Sequence, residues 1–357
     1  MVSVGDWFFY RYWTIVAYNI VKYNVFSTAG SGPNIFGTEP WHFYLQNLLL
    51  NFNLWFLLAL AALPLSLLNY LSSSPSRSEL RQMPAGPLRA LLFQTPFYLW
   101  LLLLSAQPHK EERFMYPVYP FLALNAAISA HILLAYLGSR THASLFGRCL
   151  SYLPAKLRLT LAALPLLLAI DFSLLRTVGL ITAYGAPLQI YAPLSDPTIA
   201  LAGTSVCLAK EWHRFPSSFF LPGRTLRAKF APSNFDGLLP AEFHEGRGAG
   251  FGFFAGAYLE PAGMNGENRA FAGHVLDDVR RCDFLIDSRF PSVAPTEREP
   301  DYAADGERWE KIVCKPYLDA WATSLLGRLV WVPDWKGLPE GWRRRWGEYC
   351  LLRRRIG

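Results

Sequence analysis

Charge is scarce in this chain. Asp, Glu, Lys and Arg make up 17% of its 357 residues, against 52% hydrophobic ones. Ordinary soluble domains carry about 25% charged residues, so a wholly soluble protein is excluded. Cysteine is scarce too. None of the five forms a CxxC pair, and no His/Cys cluster has zinc spacing, so no structural zinc site is expected. Cys207 and Cys282 fall in predicted strands of one region. A disulfide between them stays open, with buried free thiols the favoured reading. No DxD motif occurs and no metal or cofactor is implied; Asp277-Asp278 reads as a solvated helix face. Internal repeats, and polar residues recurring along several apolar runs, are both missing, which argues against a transporter or channel. Met1 is followed by a polar turn and aromatics, without the basic end and leucine core of a cleavable signal. The net charge is +7, yet no interleaved basic–aromatic module appears, so nucleic acid is not an expected partner. The clusters Arg343–Arg345 and Arg353–Arg355 read instead as contacts to membrane lipid.

What is present is long apolar runs. His42–Leu71, Leu88–Ala106, Pro117–Leu137 and Leu157–Tyr184 each hold 19 or more mostly apolar residues. About 20 suffice to cross a bilayer. Four transmembrane helices are expected. Trp7–Phe26 carries Arg11, Lys22 and two Asn, and reads as spanning or interfacial. After Tyr184, Pro, Gly and charged residues reach ordinary globular frequency. Short β-like runs such as Thr204–Leu208 and Phe284–Ile286 alternate with turn signals. The expected organisation is a membrane domain over 1–187 and a mixed α/β domain over 188–357, with a glycine-rich loop at Gly246–Gly266.

Loop charges set an orientation. Arg77, Arg81 and Arg89 face only Glu79, and Arg140, Arg148, Lys156 and Arg158 face no acid. By the positive-inside rule both loops are cytosolic. Asn34–Trp41, the loop after Ala106 and everything beyond Tyr184 then share the opposite side.

That loop holds His109-Lys110-Glu111-Glu112-Arg113, five ionisable residues in a row between two apolar runs. Charge at a membrane boundary is costly unless paired or functional. One reading is a solvated loop whose two carboxylates neutralise its cations. The other, favoured by the rest of the chain, is a headgroup site.

The motif His109–Phe114 has company in order and spacing: Tyr23–Phe26, Gly37–Trp41, Leu50–Asn53, Gln107–Arg113, Tyr116–Pro120, Lys210–Trp212, Arg214–Phe219 and Lys315–Ala320. From about residue 4 to about residue 320 the chain resembles the later part of the dolichol-pathway α-1,2-mannosyltransferases of asparagine-linked glycosylation, in glycosyltransferase family 22. The resemblance implies an α-helical integral membrane protein, a partial GT-C-type bundle followed by a lumenal α/β domain. It implies transfer of mannose from dolichyl phosphate mannose to a dolichyl-diphosphate-linked high-mannose oligosaccharide in the endoplasmic reticulum lumen. Further transmembrane segments and a first acidic lumenal loop, thought to bear the catalytic base, precede this part in the family. These 357 residues contain no equivalent, so the chain alone is expected to be inactive. A non-catalytic membrane scaffold is the alternative.

Such a reaction needs a base for the acceptor hydroxyl, cations for the departing phosphate and groups to hold sugars. His109, Lys110, Arg113 and, inside the last apolar run, Arg176 suit the phosphate. Glu111 and Glu112 suit orienting those cations or binding sugar hydroxyls; neighbouring cations lower a carboxyl pKa and weaken it as a base. Glu39 is the remaining candidate base. Its alternative is a helix start, with Thr38 as N-cap and Pro40 in the first turn. In Lys210–Phe219, Trp212 and Arg214 are the candidates for acceptor sugar, ahead of His213, Ser217 and Ser218.

Overall fold

The structure is a computed structural model. It describes residues 2–10, 13–26, 32–72, 86–138, 152–201, 203–214, 220–222, 226–242 and 261–355. Most of the arginines in the two loops expected to be cytosolic, the serines of Lys210–Phe219 and most of Gly246–Gly266 lie outside these residues. The chain divides into two compact units, Phe36–Leu175 and the pair Met1–Ile35 with Arg176–Gly357.

The first unit is helical. Helix α3 runs Phe43–Ser72, α4 Gly86–Ala106 and α5 Tyr119–Gly138, the last entered through a 3-10 turn at Glu112–Val118; α6 begins at Ala155 and runs to Tyr184. Three stretches, Phe43–Leu71, Glu112–Gly138 and Ala155–Tyr184, are long and apolar enough to cross a membrane, and Leu91–Ala106 is a shorter apolar helix. Tyr44, Leu48, Phe56, Phe97, Met115 and Leu122 form the core between α3, α4 and α5.

Polar side chains join these helices where water is excluded. Ser129 Oγ donates to the Leu58 carbonyl at 2.6 Å and Tyr98 OH to the Ala59 carbonyl at 2.8 Å. Interhelical bonds of this kind supply glue where lipid removes the hydrophobic drive. Asn53 interrupts α3 at φ 41° and ψ −118°, and its Nδ2 donates to Ser173 Oγ on α6 at 2.8 Å. Asn tolerates positive φ better than other residues with a Cβ.

The second unit is built on a mixed five-stranded sheet in the order β2-β1-β3-β5-β4. The strands are β1 Ser205–Leu208, β2 Arg227–Phe230, β3 Phe284–Arg289, β4 Trp309–Leu318 and β5 Trp346–Arg354. β1 lies parallel to β2 and β3, while β5 pairs antiparallel with β3 and β4. β3 is buried along five of its six residues, which fits its central place. One face packs Val206, Leu208, Ile286 and Tyr349; the other packs Cys207, Leu285, Trp309 and Leu352.

Three expectations change. Trp7–Phe26 is not one helix: α1 Val2–Tyr10 and α2 Val16–Val25 are separate, and at 1.5 Å per residue neither reaches across a bilayer. Asp277-Asp278 is no helix face: Asp278 caps a 3-10 turn, accepting from the Arg280 amide. The favoured free thiols are overturned as well. Cys207–Cys282 and Cys314–Cys350 are disulfides with Cα separations of 5.9 and 4.1 Å. The second joins direct partners on β4 and β5. Strand register creates the second pair, and register is not visible in cysteine spacing.

Candidate functional site

Ala106 ends α4, and the chain turns through an extended stretch before the 3-10 turn at Glu112. The extended backbone of Glu111 puts residues 109, 111 and 113 within mutual reach. Glu111 is the hub. Its Oε1 lies 3.2 Å from His109 Nε2 and 2.8 Å from Arg113 Nη2, and its Oε2 lies 2.5 Å from Arg113 Nε. The other imidazole nitrogen, Nδ1, lies 2.8 Å from the Gly37 carbonyl. Both ring nitrogens thus face oxygens. The His109 side chain is 9% exposed, whereas Arg113 is 68% exposed. The imidazole is walled in and the guanidinium presented outward.

Lys110 behaves differently. It is buried, and its ammonium donates to the Glu39 carbonyl at 2.8 Å and to the Gln107 carbonyl. The Glu39 amide returns a bond to the Pro108 carbonyl at 3.0 Å. Lys110 therefore ties the Gly37–Pro40 segment to the charged loop. Glu112 accepts from Asn51 Nδ2 at 3.0 Å, and Tyr44 OH donates to the Glu111 carbonyl at 3.1 Å. The segments Gly37–Trp41, Leu50–Asn53 and His109–Arg113, far apart in sequence, meet here.

Glu39 is exposed, but not as part of a helix start. Residues 37–40 are irregular, a turn follows at 41–42, and α3 begins at Phe43, so Thr38 is not its N-cap. The bonds to Lys110 and Pro108 hold the segment in place instead.

In the second unit, Lys210–Arg214 leaves the end of β1 and forms a 3-10 turn at Trp212–Arg214. Trp212 stacks on Phe235 at 3.7 Å, so one ring face is covered. Arg214 donates to both Glu211 oxygens at 2.9 and 2.8 Å and lies over the Tyr317 ring. Burial works against its charged form, but Glu211 overcomes this and raises its pKa. Burial pushes Asp287 up to about 6, against the pull of the Lys210 ammonium 2.9 Å away. His213 is lowered by burial and then by Arg214.

Lys210, Glu211, His213 and Arg214, but not Trp212, line an open cavity of about 340 Å³ together with Arg289. Trp321, 87% exposed, stands at its rim. Buried Asp319 fixes that loop by accepting from Ser292 Oγ at 2.7 Å and from the Trp321 and Ala322 amides at 3.1 Å. Sequence reading passed over Arg289 and Trp321. The Asp at 319, followed by small residues and a Trp, was the available signal. Arg176 donates to the Leu329 carbonyl at 3.4 Å, so part of its guanidinium serves the contact with that segment.

The sequence profile of the Alg9-like mannosyltransferase family matches residues 1–222. The alpha-1,2-mannosyltransferase alg9 of Schizosaccharomyces pombe is 36% identical over 355 residues, covering 98% of this chain and 57% of its own length. The corresponding Homo sapiens protein is 37% identical over 343 residues, 93% of this chain and 52% of its own. That of Saccharomyces cerevisiae is 33% identical over 366 residues, 98% and 58%. The chain spans about half the length of the curated relatives it matches. No solved structure matches it.

Proposed function

The chain belongs to the Alg9-like mannosyltransferase family, and we propose that it forms the later half of an enzyme moving mannose in α-1,2 linkage onto a lipid-linked oligosaccharide. The donor is dolichyl phosphate mannose, the acceptor a dolichyl-diphosphate-linked high-mannose glycan, and the site faces the endoplasmic reticulum lumen. The observation that carries this is the arrangement around Glu111. It fixes an exposed guanidinium, with a shielded imidazole behind it, at the mouth of an apolar helix bundle. A phosphate departing from a lipid at the membrane surface needs such a fixed cation.

Lys110 builds this site and Arg113 meets the phosphate. Glu39 stands beside it as the carboxylate of this chain nearest to a base role. In the sheet unit, Arg214, His213, Arg289 and Trp321 around the cavity meet acceptor sugar, while Trp212, stacked on Phe235, stands outside its lining. The two disulfides support the lumenal assignment, since they persist in oxidising compartments. The scaffold alternative is not favoured: the curated relatives carry enzyme names.

A chimera tests this. Residues 1–357 replace the corresponding part of the Saccharomyces cerevisiae relative in yeast lacking that enzyme. Extended lipid-linked oligosaccharides are expected. A chimera that is expressed and membrane-inserted but leaves the glycans truncated would overturn the proposal. Glycosylation acceptors check the topology: one within 246–260 is modified, one at Ser72–Ser74 is not.

A further inference from the structure

Helix α6 does not end free of tertiary contact. Arg344 is buried, and its Nη2 donates to the Gly179 carbonyl at 2.6 Å, Nη1 to Thr182 Oγ1 at 2.9 Å and Nε to the Gly327 carbonyl at 3.0 Å. Its guanidinium also lies 5.2 Å from the Trp346 ring centre. Gly179 runs so near Trp331 that a Cβ on it would stand 2.7 Å from the Trp331 amide nitrogen. These contacts hold residues 325–344 beside the last turns of an apolar helix.

That stretch is unusual for a surface in water. Leu325, Leu326, Trp331, Trp335 and Trp342 are all exposed, Trp335 by 66%. On α6 at the same level Val178, Leu180 and Ile181 are exposed too. Exposed Arg328 and Lys336 stand against exposed Asp334 and Glu340, and exposed Arg345 follows directly after the stretch. Tryptophan with basic residues is the composition of the headgroup layer, where an indole has an apolar body and a polar N–H to satisfy.

We infer that residues 325–342 are a membrane-interface foot: the three tryptophans and two leucines enter the headgroup layer of the bilayer crossed by α6, with Arg328 and Lys336 at its phosphates. The occupant follows from continuity, because Arg344 and the Gly179–Trp331 contact bolt this surface to the helix whose own exposed side meets that lipid. The foot fixes the sheet against the membrane. β5 starts two residues after Arg344, and its Arg354 end lies roughly 27 Å away by strand rise. The inference rests on the reading that α6 spans the bilayer.

The test uses the full chain in phospholipid nanodiscs, with Cys149, the one cysteine outside the two disulfides, replaced by serine. Single cysteines at Trp335, Trp342, Leu168 and Glu307 carry an environment-sensitive fluorophore. Leu168 is exposed in mid-helix, and Glu307 is exposed at the far end of the sheet. Labels at 335 and 342 are expected to be quenched by brominated lipid and shielded several-fold from aqueous iodide relative to 307. If 168 is shielded while 335 and 342 are as open to iodide as 307, the foot is refuted and the spanning reading stands. If 168 is open to iodide as well, both fail.

Discussion

Replacing Arg113 separates its pairing with Glu111 from the role at the donor phosphate proposed for it. Two of its nitrogens grip Glu111, and the side chain is 68% exposed. An ion pair that open to water contributes about 0–1 kcal/mol to folding, so Arg113→Ala leaves expression and melting almost unchanged. Its effect on catalysis is larger. One charge-assisted bond to a departing phosphate is worth about 1.5–3 kcal/mol, and 1.4 kcal/mol is tenfold in rate. Arg113→Ala in a full-length context is therefore expected to lower transfer by at least about tenfold. Arg113→Lys recovers little, because a point charge cannot grip Glu111 through two nitrogens while offering a third. Glu111→Gln falls between them: it keeps one acceptor oxygen but loses the charge that gathers His109 and Arg113. The assay is single-turnover transfer from dolichyl phosphate mannose in membranes carrying equal amounts of each variant. Normal transfer by a normally expressed Arg113→Ala protein would refute the leaving-group role.

The remaining expectations concern how each unit is held together within itself. Lys110→Met strands two carbonyl groups, at about 1–3 kcal/mol each, and is expected to reduce the folded yield in detergent before any kinetic defect appears. Gly179→Ala, stabilising in a free helix, should here destabilise by about 1–3 kcal/mol, read as a lower melting temperature, because the new methyl meets the backbone of Trp331. Asp287 is raised from 3.8 to about 6 by burial, so the native state binds its proton more tightly than the unfolded chain. Its contribution is therefore full below pH 4 and lost as pH rises through 6; the stability gap between the protein and Asp287→Asn should shrink by up to about 3 kcal/mol across that window in melts at stepped pH. Cys207→Ser removes a cross-link between residues 75 apart and should cost about 2–5 kcal/mol, seen as a lower denaturation midpoint under oxidising conditions.

The long apolar runs determined the helices α3 to α6 outright. Such a run must satisfy its backbone internally if it crosses lipid, so length and hydropathy suffice. The five consecutive ionisable residues were equally legible, because charge beside an apolar run is costly enough to mark itself. The strand-like runs at 204–208 and 284–286 became β1 and β3, since β-branched and apolar residues between turn signals are a local property. Partnership was another matter. Only the fold decided that Lys110 bonds backbone carbonyls while Arg113 stays exposed, although the two are three residues apart in one charged run. Only strand register set Cys314 opposite Cys350, and only the approach of Phe235 covered one face of Trp212. In the same way, a helix boundary expected at Thr38 moved to Phe43 because Lys110 and Pro108, some seventy residues later, claim the backbone of Glu39. Sequence patterns record what each segment needs from its solvent. Which distant atom meets the need is set when the segments pack, and no local spacing encodes it.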